Sequence, residues 1–522
     1  MFKKDDFLRF ILKNPEHEHR AYVNSAVRFH HSFTTKQRIE VAKQVGYNVF
    51  PFPAEMTAGD YLSDSGTTTP TIEQLAESLK NDEAYGTNDG YHKLLKQFEN
   101  VLGVNFLEYK KGLLMHWWEK VLVLAKLLLK KLHLFNKEEW EPYLMHQCRA
   151  AEHLLFTQIG KGHTGLIIPN NSHFDTTRAN IETNNIEALD IPVPSENFSP
   201  ESLEYRFKGN MDIVALKTLL KEKGDRVPLV YCTITNNTNA GQPVSLENLQ
   251  AIRKLCDEYK KPFFLDACRF AENSWLIKQY EPGYSKKTPK AIAREIFSLC
   301  DGFTISLKKD GLSNMGGGLF VKKESELTKN YPNILGDLRV QQIVTEGHSS
   351  YGGMSGRDIM IATLGLETVI TEEYLRYRIT QVQKTGEYAK QLGLPVIEPF
   401  GGHAIYFDVK KFMEGTGAKP EDFSGIAITA LLLTMGPRMC ELGAFAFGKY
   451  DPKTGIETSP PFDYIRMAIP RLKYEMEDIY YALDCLKHIH NNRDTLPRAV
   501  PVFGRDLPLR HMMARFELKE RK

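Results

Sequence analysis

The chain has 522 residues, of which 42% are hydrophobic and 25% charged, and its formal net charge is +2. This length calls for two or three domains, and the composition is that of an ordinary folded protein. The near-neutral charge excludes the strongly basic surface of a nucleic-acid-binding protein, so we expect no nucleic-acid partner.

The N-terminus, MFKKDDFLRFILKNPEHEHR, has no sustained apolar run before a small-residue cleavage site, so we predict no signal peptide. The 7 cysteines are scattered along the chain, and no pair has the spacing of a metal site or a redox motif. We therefore expect free thiols in a reducing compartment and a cytoplasmic location.

A strongly apolar segment, GLLMHWWEKVLVLAKLLLKKLHLF, covers residues 112–135. A helix that crosses a bilayer needs about 20 mainly apolar residues with few charges, and four lysines interrupt this segment. It predicts a long helix, inserted at about residues 110–142, with one apolar face. That face packs either on the domain or an oligomer interface, which we favour, or on a membrane surface.

The middle of the chain alternates short apolar runs with helical patterns, which predicts an α/β domain with a mainly parallel sheet. The segment LENLQAIRKLCDEYKK (246–261) has the pattern of an amphipathic helix. Four segments have the pattern of strands: GLIIPNN (165–171), VPLVYCTIT (227–235), PFFLDACRF (262–270) and DGFTISLKK (301–309).

Polar or aromatic residues follow each of these strands. In open α/β sheets, ligands bind at the edge where the parallel strands end. We therefore expect one site to contain Phe174, Asp175, Asn236, Asn237, Asp266, Arg269, Lys308 and Lys309.

The domain organisation follows from the same patterns. Residues 1–75 form an N-terminal arm that belongs to the small domain, 76–350 the large domain, and 351–522 a smaller α+β domain. In this last part we expect helices at 373–393 and 476–490 and a hairpin around GGHAIYFDV (401–409).

A strand-end aspartate, a lysine on the next strand, an aromatic residue and a serine- and arginine-bearing turn are the residue types of a pyridoxal phosphate site. A free lysine has a pKa of about 10.4 and is a weak nucleophile at neutral pH. Burial and a neighbouring cation both lower that pKa. One residue of the pair Lys308 and Lys309 therefore binds the cofactor aldehyde and the other serves its phosphate, but spacing alone does not say which.

Collinear motifs over nearly the whole chain carry a family resemblance. They are DSGT (64–67), DEAY (82–85), HQCRAAE (146–152), FDTT (174–177), FKGNMD (207–212), GQPVSL (241–246), DACRFAEN (266–273), KKD (308–310), MGGG (315–318), YGG (351–353), DPKTG (451–455) and RMAIPR (466–471). Together they resemble the β-eliminating lyases, which cleave tryptophan to indole or tyrosine to phenol. The resemblance implies the aspartate aminotransferase-like fold (fold type I) with pyridoxal 5'-phosphate as cofactor.

The resemblance also implies roles for cofactor-binding residues. It makes Lys309 the residue that carries the cofactor and places Lys308 near the phosphate. Asp266 pairs with the ring nitrogen, Phe174 stacks on the ring, and Asn237 and Arg269 contact the phenolic oxygen. The implied phosphate-binding set is Gln147, the Cys148 backbone N–H, Arg149 and Ser306.

Other matched positions imply substrate and cation contacts. Arg466 and Ser65, with Asn237, correspond to substrate-binding residues, and Tyr85 corresponds to the general acid at the leaving group. Potassium or a similar monovalent cation is implied at the Gly66 and Asn314 carbonyls and the Glu83 carboxylate. The family also implies a homotetramer, a dimer of dimers with sites at its interfaces.

Three positions resemble the tryptophan-cleaving members: Asp175, Leu442 and His511. An indole N–H is a donor that wants an acceptor such as Asp175, whereas a phenol does not. The expected reaction is therefore β-elimination of L-tryptophan to indole, pyruvate and ammonia. Without the resemblance, however, other interpretations are open. Asp175 could cap the start of a helix, His511 could be a packing histidine, and Tyr85 could be a structural tyrosine.

The chain departs from the family pattern in two loops and in the insertion. Cys148 and Ala150 replace glycines in the phosphate loop, and Asn239 and Ala240 stand where smaller residues are expected. Two other functions stay open on this basis. One is a lyase for tyrosine or another β-substituted amino acid, and the other is a scaffold protein that keeps the fold without catalysis.

Overall fold

The computed structural model describes residues 21–23, 29, 31–106, 139–196 and 198–521. Most of the predicted inserted helix lies outside these residues. Its predicted end is described and belongs to the strand Trp140–Met145, so that part of the prediction is wrong. Among the described residues, no helix has the length and apolarity that crossing a membrane requires.

The large domain is built on a five-stranded sheet. Its spatial order is Trp140–Met145, Gly317–Lys322, Gly302–Ser306, Phe263–Asp266 and Val230–Thr233. The last three strands run parallel, whereas Gly317–Lys322 is antiparallel to both neighbours. The α/β class is confirmed, and the sheet is mixed.

A separate parallel pair, Ile167–Asn170 with Glu187–Asp190, extends this layer. Pro169 has no N–H to donate, so an unbroken ladder to the large sheet is not available there. Side chains make the connection instead: the Asn171 carboxamide accepts from Thr233 N at 2.8 Å and donates to the Thr233 carbonyl at 3.0 Å. These bonds place the polar residues after Asn170 beside those after Thr233.

The central strands are buried throughout because helices cover both faces of the sheet. The predicted helix at 246–261 is observed as Leu246–Glu258, capped by the Ser245 hydroxyl. It ends early because Lys260 adopts a left-handed φ of 53°. The other helices here are Ile72–Ser78, Asp89–Leu102, Cys148–Gly160, Asp175–Glu182, Leu203–Arg206, Ile213–Lys223, Gly224–Arg226 (3-10), Phe270–Tyr280, Pro289–Ser298, Leu307–Asp310, Glu326–Asn330, Ile334–Glu346 and Gly356–Val369.

A second apolar core surrounds an antiparallel sheet of three strands, ordered Cys440–Leu442, Tyr464–Ala468 and Ala404–Asp408. The hairpin predicted around 401–409 is reduced to a single antiparallel bridge, Val396 with Phe407, and Ala404–Asp408 pairs along its length with the distant strand Tyr464–Ala468. The predicted helices are observed as Glu372–Gln391 and Met476–Asn491. The remaining elements of this half are Val409–Phe412, Pro420–Asp422 (3-10), Ser424–Met435, Lys449–Asp451, Ile456–Thr458, Arg493–Thr495 (3-10), Arg498–Phe503, Arg510–Met513 and Arg515–Lys519.

The described N-terminal residues pack against this second core. Helix Thr35–Gln44 lies against Ser424–Met435, and the short strand Gly59–Asp60 pairs in parallel with Pro437–Arg438. The 3-10 turn Ala54–Met56 connects them. The chain then crosses to the large domain through the DSGT loop, which brings that loop to the junction of the two cores.

Candidate active site

The carboxyl ends of adjacent parallel strands bring the predicted site residues together. Asp266 ends the strand Phe263–Asp266, and Ser306 ends the neighbouring strand Gly302–Ser306; both side chains are buried. Asn237 follows the strand on the other side of Asp266. Because these strands are parallel, all three residues lie at one edge of the sheet, as predicted.

The two lysines lie on a helical turn rather than in the strand, which corrects the predicted strand at 301–309. The strand stops at Ser306, and Leu307–Asp310 forms one turn of helix. Burial lowers the pKa of Lys308, and the charges of Arg149 and Lys309 lower it further. The side chain of Lys308 also lies against Gly66, where an added Cβ would meet Lys308 Cε at 2.6 Å.

The predicted phosphate-binding residues surround the N-terminus of the helix Cys148–Gly160. Gln147 occupies its N-cap position, and within the part of the chain that the structure describes its side chain makes no capping bond to the N–H groups of the first turn. Gly317, opposite Ser306 in the sheet, lets that turn approach, since an added Cβ would lie 2.6 Å from Cys148 N. Free N–H groups at a helix start, with the Arg149 and Lys308 charges, make an anion site.

The loop substitutions noted in the sequence have different consequences. Cys148 and Ala150 lie within a regular helix, where their Cβ atoms need no special backbone conformation. Ala240 instead adopts a φ of 52°, a conformation that favours glycine. The following Gly241 approaches His403 closely, because an added Cβ would lie 2.9 Å from its Cε1 atom.

Asn237 is oriented by three donors on its side-chain oxygen. Its Oδ1 accepts from Tyr406 Oη at 2.7 Å, from His403 Nε2 at 2.8 Å and from Arg466 Nη1 at 3.2 Å. Burial holds the pKa of His403 well below its usual value, so this histidine is neutral. With Oδ1 committed, Asn237 has its Nδ2 amide for the cofactor or substrate.

Arg466 lies beside Asn237 on the strand Tyr464–Ala468 and is buried. Its Nη2 donates to the Leu62 carbonyl at 2.9 Å, while Nε is buried and has no hydrogen-bond partner among the described residues. Ser65, the other predicted carboxylate contact, lies three residues along the same loop. A guanidinium with an unsatisfied donor beside this loop suits a carboxylate.

Arg269 is part of a buried ion network. Its Nε and Nη2 atoms bond the two carboxylate oxygens of Asp64 at 3.0 and 2.8 Å. Arg471 bonds Asp64, Glu272 and Asp310 at 2.8–2.9 Å. The sequence did not predict the Asp64 partner of Arg269. Because Nε and Nη2 bond Asp64, only Nη1 of Arg269 is left to contact the phenolic oxygen, and that contact stays a prediction.

Sequence reasoning also missed Glu152, which lies in the quoted motif HQCRAAE. Its buried carboxyl accepts from the Thr177 hydroxyl at 2.7 Å. Burial and the Asp266 charge raise its pKa to about 8, although the Lys309 and Arg149 charges oppose this. Asp266 and Lys309 both lie close enough to Glu152 for their charges to shift its pKa.

Asp175 and His511 are in contact at the N-terminus of the helix Asp175–Glu182. His511 Nε2 lies 3.1 Å from Asp175 Oδ2, and Asp175 Oδ1 accepts from Thr176 N at 2.6 Å. Phe174 precedes them as a half-buried N-cap residue. The third predicted specificity residue, Leu442, is buried in the strand Cys440–Leu442.

The described contacts of Tyr85 and Glu83 are with residues outside the predicted site set. The Tyr85 side chain is 74% exposed and contacts the rings of His348 and Tyr351. Glu83 pairs with Arg357 at 3.2 Å. Of the predicted cation ligands, Gly66 and Asn314 do adjoin, since Asn314 Nδ2 donates to the Gly66 carbonyl at 3.0 Å.

A groove of about 680 Å³ lies on another part of the surface. Its lining includes Tyr205, Arg206, Gln383 and Glu398, and it contains none of the predicted site residues. The candidate site therefore rests on the strand ends described above and not on this groove.

A family model described as beta-eliminating lyase matches residues 60–483. This chain belongs to the β-eliminating lyase family. A tryptophanase of Hyphomonas neptunium is 36% identical over 485 residues, which cover 93% of this chain and 95% of that relative. A tyrosine phenol-lyase of Symbiobacterium sp. is 31% identical over 487 residues, covering 93% and 95%.

Solved structures agree on the fold. Serine palmitoyltransferase of Sphingomonas wittichii gives a TM-score of 0.50 at 10% identity, covering 84% of this chain and 88% of that one. Threonine aldolase of Leishmania major gives 0.50 at 13% identity, covering 83% and 99%. The predicted fold type I architecture of pyridoxal phosphate enzymes is confirmed.

The residues present fit pyridoxal phosphate. A buried carboxylate, Asp266, suits a protonated ring nitrogen, and the helix start at Cys148 with its neighbouring cations suits a phosphate. Lys309 is the predicted amine, and it lies next to Lys308, whose pKa is lowered by burial and by neighbouring charges. The protein is a pyridoxal phosphate-dependent β-eliminating lyase.

Proposed function

We propose that this lyase converts L-tryptophan and water to indole, pyruvate and ammonia. The observation that supports this substrate most strongly is the buried contact between Asp175 and His511. Asp175 is an acceptor that is held by the Thr176 backbone N–H and paired with His511, and an indole ring carries an N–H that needs an acceptor. The 36% identity to a tryptophanase adds to it.

Other residues of the candidate site bind the substrate and move its protons. Bound at Lys309, pyridoxal phosphate supplies the electron sink that stabilises negative charge at the substrate Cα. Arg466 and Ser65 bind the substrate carboxylate, which turns the Cα–H bond toward Lys309. The Lys309 amine, once free, removes that proton, and Lys308 disfavours a second charge beside it.

Asp266 keeps a proton on the ring nitrogen, and Asn237 donates its Nδ2 hydrogen to the phenolic oxygen. Phe174 and the helix start at Cys148 fix the ring and the phosphate, with Gln147, Arg149 and Ser306 completing the phosphate contacts. These contacts hold the cofactor rigidly while the substrate is exchanged.

Tyr85 is proposed as the acid that protonates the leaving ring carbon, acting in the site of a neighbouring copy. Its 74% exposure and its ring contacts with His348 and Tyr351, which are not among the predicted site residues, motivate this assignment. It fits the proposed homotetramer, a dimer of dimers with sites at interfaces. Tyrosine is suited to such a proton transfer when it is placed at hydrogen-bond reach.

A monovalent cation, potassium in the first instance, is proposed at the Gly66 and Asn314 carbonyls with a Glu83 carboxylate. The Asn314 carbonyl oxygen lies beside Gly66, where an added Cβ would be 3.1 Å from it, and this proximity supports the two carbonyl ligands. Oxygen ligands of this type suit a hard cation. A cytoplasmic location is proposed because all 7 cysteines are free thiols.

The test is a comparison of two substrates. Purified protein is incubated with L-tryptophan or L-tyrosine in potassium buffer, and pyruvate and the released aromatic compound are assayed together. Indole with equal pyruvate supports the proposal, whereas phenol from tyrosine at a higher kcat/KM would favour the phenol-lyase alternative. A Lys309→Ala variant provides the control, because loss of that amine removes both activities.

A further inference from the structure

Two cysteine thiols are in contact inside the candidate active site. Cys148 begins the helix Cys148–Gly160, and Cys268 lies two residues beyond the end of the strand Phe263–Asp266. Their Sγ atoms are 3.4 Å apart, and both side chains are buried. The two sulfurs and an Asp266 carboxylate oxygen all lie within 4.8 Å of one another.

The position of this pair separates it from the other cysteines. Cys232, Cys256 and Cys300 belong to the apolar core of the large sheet. Cys148 and Cys268 instead join the helix start assigned to the phosphate with the strand end assigned to the cofactor ring. Cys148 is also a departure from the glycine-rich loop of the family, so the pairing is a feature of this sequence.

We propose that Cys148 and Cys268 form an oxidation site, at which a small external disulfide converts the two thiols to an intramolecular disulfide that blocks cofactor loading. One thiol attacks the external disulfide and releases the first small thiol. The second thiol then attacks the mixed disulfide and releases the second small thiol. Two electrons and two protons pass from the protein to the oxidant, so the exchange balances.

The geometry explains why the bond would affect the site. A disulfide is about 2.05 Å long, so the sulfurs must approach by about 1.4 Å. Cys268 N donates to Asp266 Oδ1 at 3.3 Å, so movement of Cys268 also displaces the ring partner. Movement of Cys148 displaces the backbone N–H assigned to the phosphate. The bond therefore draws the two ends of the cofactor site together.

The bound cofactor is expected to protect the pair. The contact with Cys268, and then burial, raises the pKa of the Cys148 thiol well above its usual value, which slows its reaction in the cofactor-free and cofactor-bound forms alike. A ring held beside Asp266 would also shield the sulfurs from a bulky disulfide. The inference rests on cofactor binding at this site and is independent of which amino acid the enzyme cleaves.

The experiment uses full-length protein with and without its cofactor. Both forms are treated with oxidised glutathione, alkylated, and digested without reductant for mass spectrometry. The expected result in the cofactor-free form is a peptide pair linking Cys148 to Cys268, two hydrogens lighter than the separate thiols. The oxidised protein should fail to regain the visible absorbance of bound cofactor, and dithiothreitol should restore it. The cofactor-bound form should show little of the linked peptide.

Matched variants make the result decisive. Cys268→Ser should yield no link and reload its cofactor fully after oxidant treatment, while Cys485→Ser, in the small domain, should behave like the unmodified protein. The proposal is overturned if the cofactor-free protein gives no Cys148–Cys268 link or only single glutathione adducts. It is also overturned if the linked protein reloads normally, or if Cys268→Ser loses loading after oxidation. None of these readouts depends on tryptophan cleavage.

Discussion

His511 Nε2 lies 3.1 Å from Asp175 Oδ2, and this contact joins the last helical turn of the chain to the first turn of a helix in the large domain. Both side chains are buried. The other Asp175 oxygen is held by the Thr176 backbone N–H, so the carboxylate cannot turn freely. Two of the three positions that resemble the tryptophan-cleaving members are therefore in direct contact, and their role as an acceptor for the indole N–H is the proposal to be tested.

Replacing Asp175 should separate tryptophan from substrates without a ring N–H. In Asp175→Thr the indole N–H loses its buried acceptor, which costs about 1–3 kcal/mol. We expect kcat/KM for L-tryptophan to fall by roughly 10- to 100-fold. An S-substituted cysteine offers no ring N–H, so its kcat/KM, measured by pyruvate release, should change little.

Glu182→Gln is the matched control, because Glu182 ends the same helix in a partly exposed pair with Arg178. Glu182→Gln should leave kcat/KM unchanged for both L-tryptophan and the S-substituted cysteine. If Asp175→Thr lowers kcat/KM equally for the two substrates, Asp175 supports the fold and does not accept from the indole N–H.

Tyr85 should act across a subunit interface. Tyr85→Phe is expected to lower kcat for tryptophan by about 10²–10⁴-fold while cofactor absorbance stays normal, because only a proton donor is lost. Lys309→Ala should be inactive for a different reason, the loss of the cofactor-bearing amine. Each variant alone therefore lacks a complete site.

Mixing these two variants tests the placement of Tyr85. Random pairing into dimers leaves one native site in each mixed pair, so about a quarter of the normal activity should return. The mixture is dissociated and reassociated before tryptophan turnover is measured. No recovery, with mixed oligomers demonstrated by tagged chains, would place Tyr85 in its own chain's site or outside catalysis.

The strand-end residues of this site were predictable because they depend on local patterns. A buried strand such as Phe263–Asp266 is apolar over its length, and the aspartate that ends it stands out against that run. Parallel strands then bring Asp266, Ser306 and Asn237 to one edge without further information. The lysine pair was located in the same way, although one helical turn, not the strand, carries it.

Partners from distant parts of the chain were not predictable. Nothing in the sequence around Arg269 indicates that Asp64 receives its guanidinium, because the contact exists only once the DSGT loop crosses between the two cores. The same holds for Ala404–Asp408, whose alternation suggested a hairpin but whose partner strand comes much later. Three donors on Asn237 Oδ1 likewise come from separate strands and a loop.

Glu152 should make stability depend on pH in the neutral range. Burial and the Asp266 charge raise its pKa from 4.5 to about 8, so the folded protein holds a proton there that the unfolded chain has released. Between these values the unfolded state binds fewer protons, and the free energy of unfolding falls as pH rises. Above about pH 8 this contribution is lost.

A Glu152→Gln variant removes that ionisation while keeping a group that accepts from Thr177. Urea unfolding of both proteins at several pH values should show the unmodified protein losing stability relative to the variant between about pH 4.5 and pH 8. Other buried carboxyls, such as Glu441, titrate in both proteins and cancel in the comparison. A constant difference over this range would mean that Glu152 is charged in the folded state.

Asp64 should be required for the stability of the domain junction. Burial alone would raise its pKa, but the charges of Arg269 and Arg471 outweigh this and hold the pKa well below its usual value. In Asp64→Asn the two buried guanidinium groups lose a shared counter-ion. Breaking one side of a buried ion pair costs about 3–5 kcal/mol, so the free energy of unfolding should fall by that order.

The pH dependence and a surface control distinguish this effect from general damage. The Asp64 contribution is present above its ordinary pKa of 3.8 and is lost as pH falls through the lower folded value. The difference between Asp64→Asn and the unmodified protein should therefore stay constant from about pH 5 to pH 8 and shrink in acid. Glu326→Gln, which removes an exposed pair with Lys329, should cost at most about 1 kcal/mol. If Asp64→Asn costs no more than this control in urea unfolding, the buried network does not hold the two cores together.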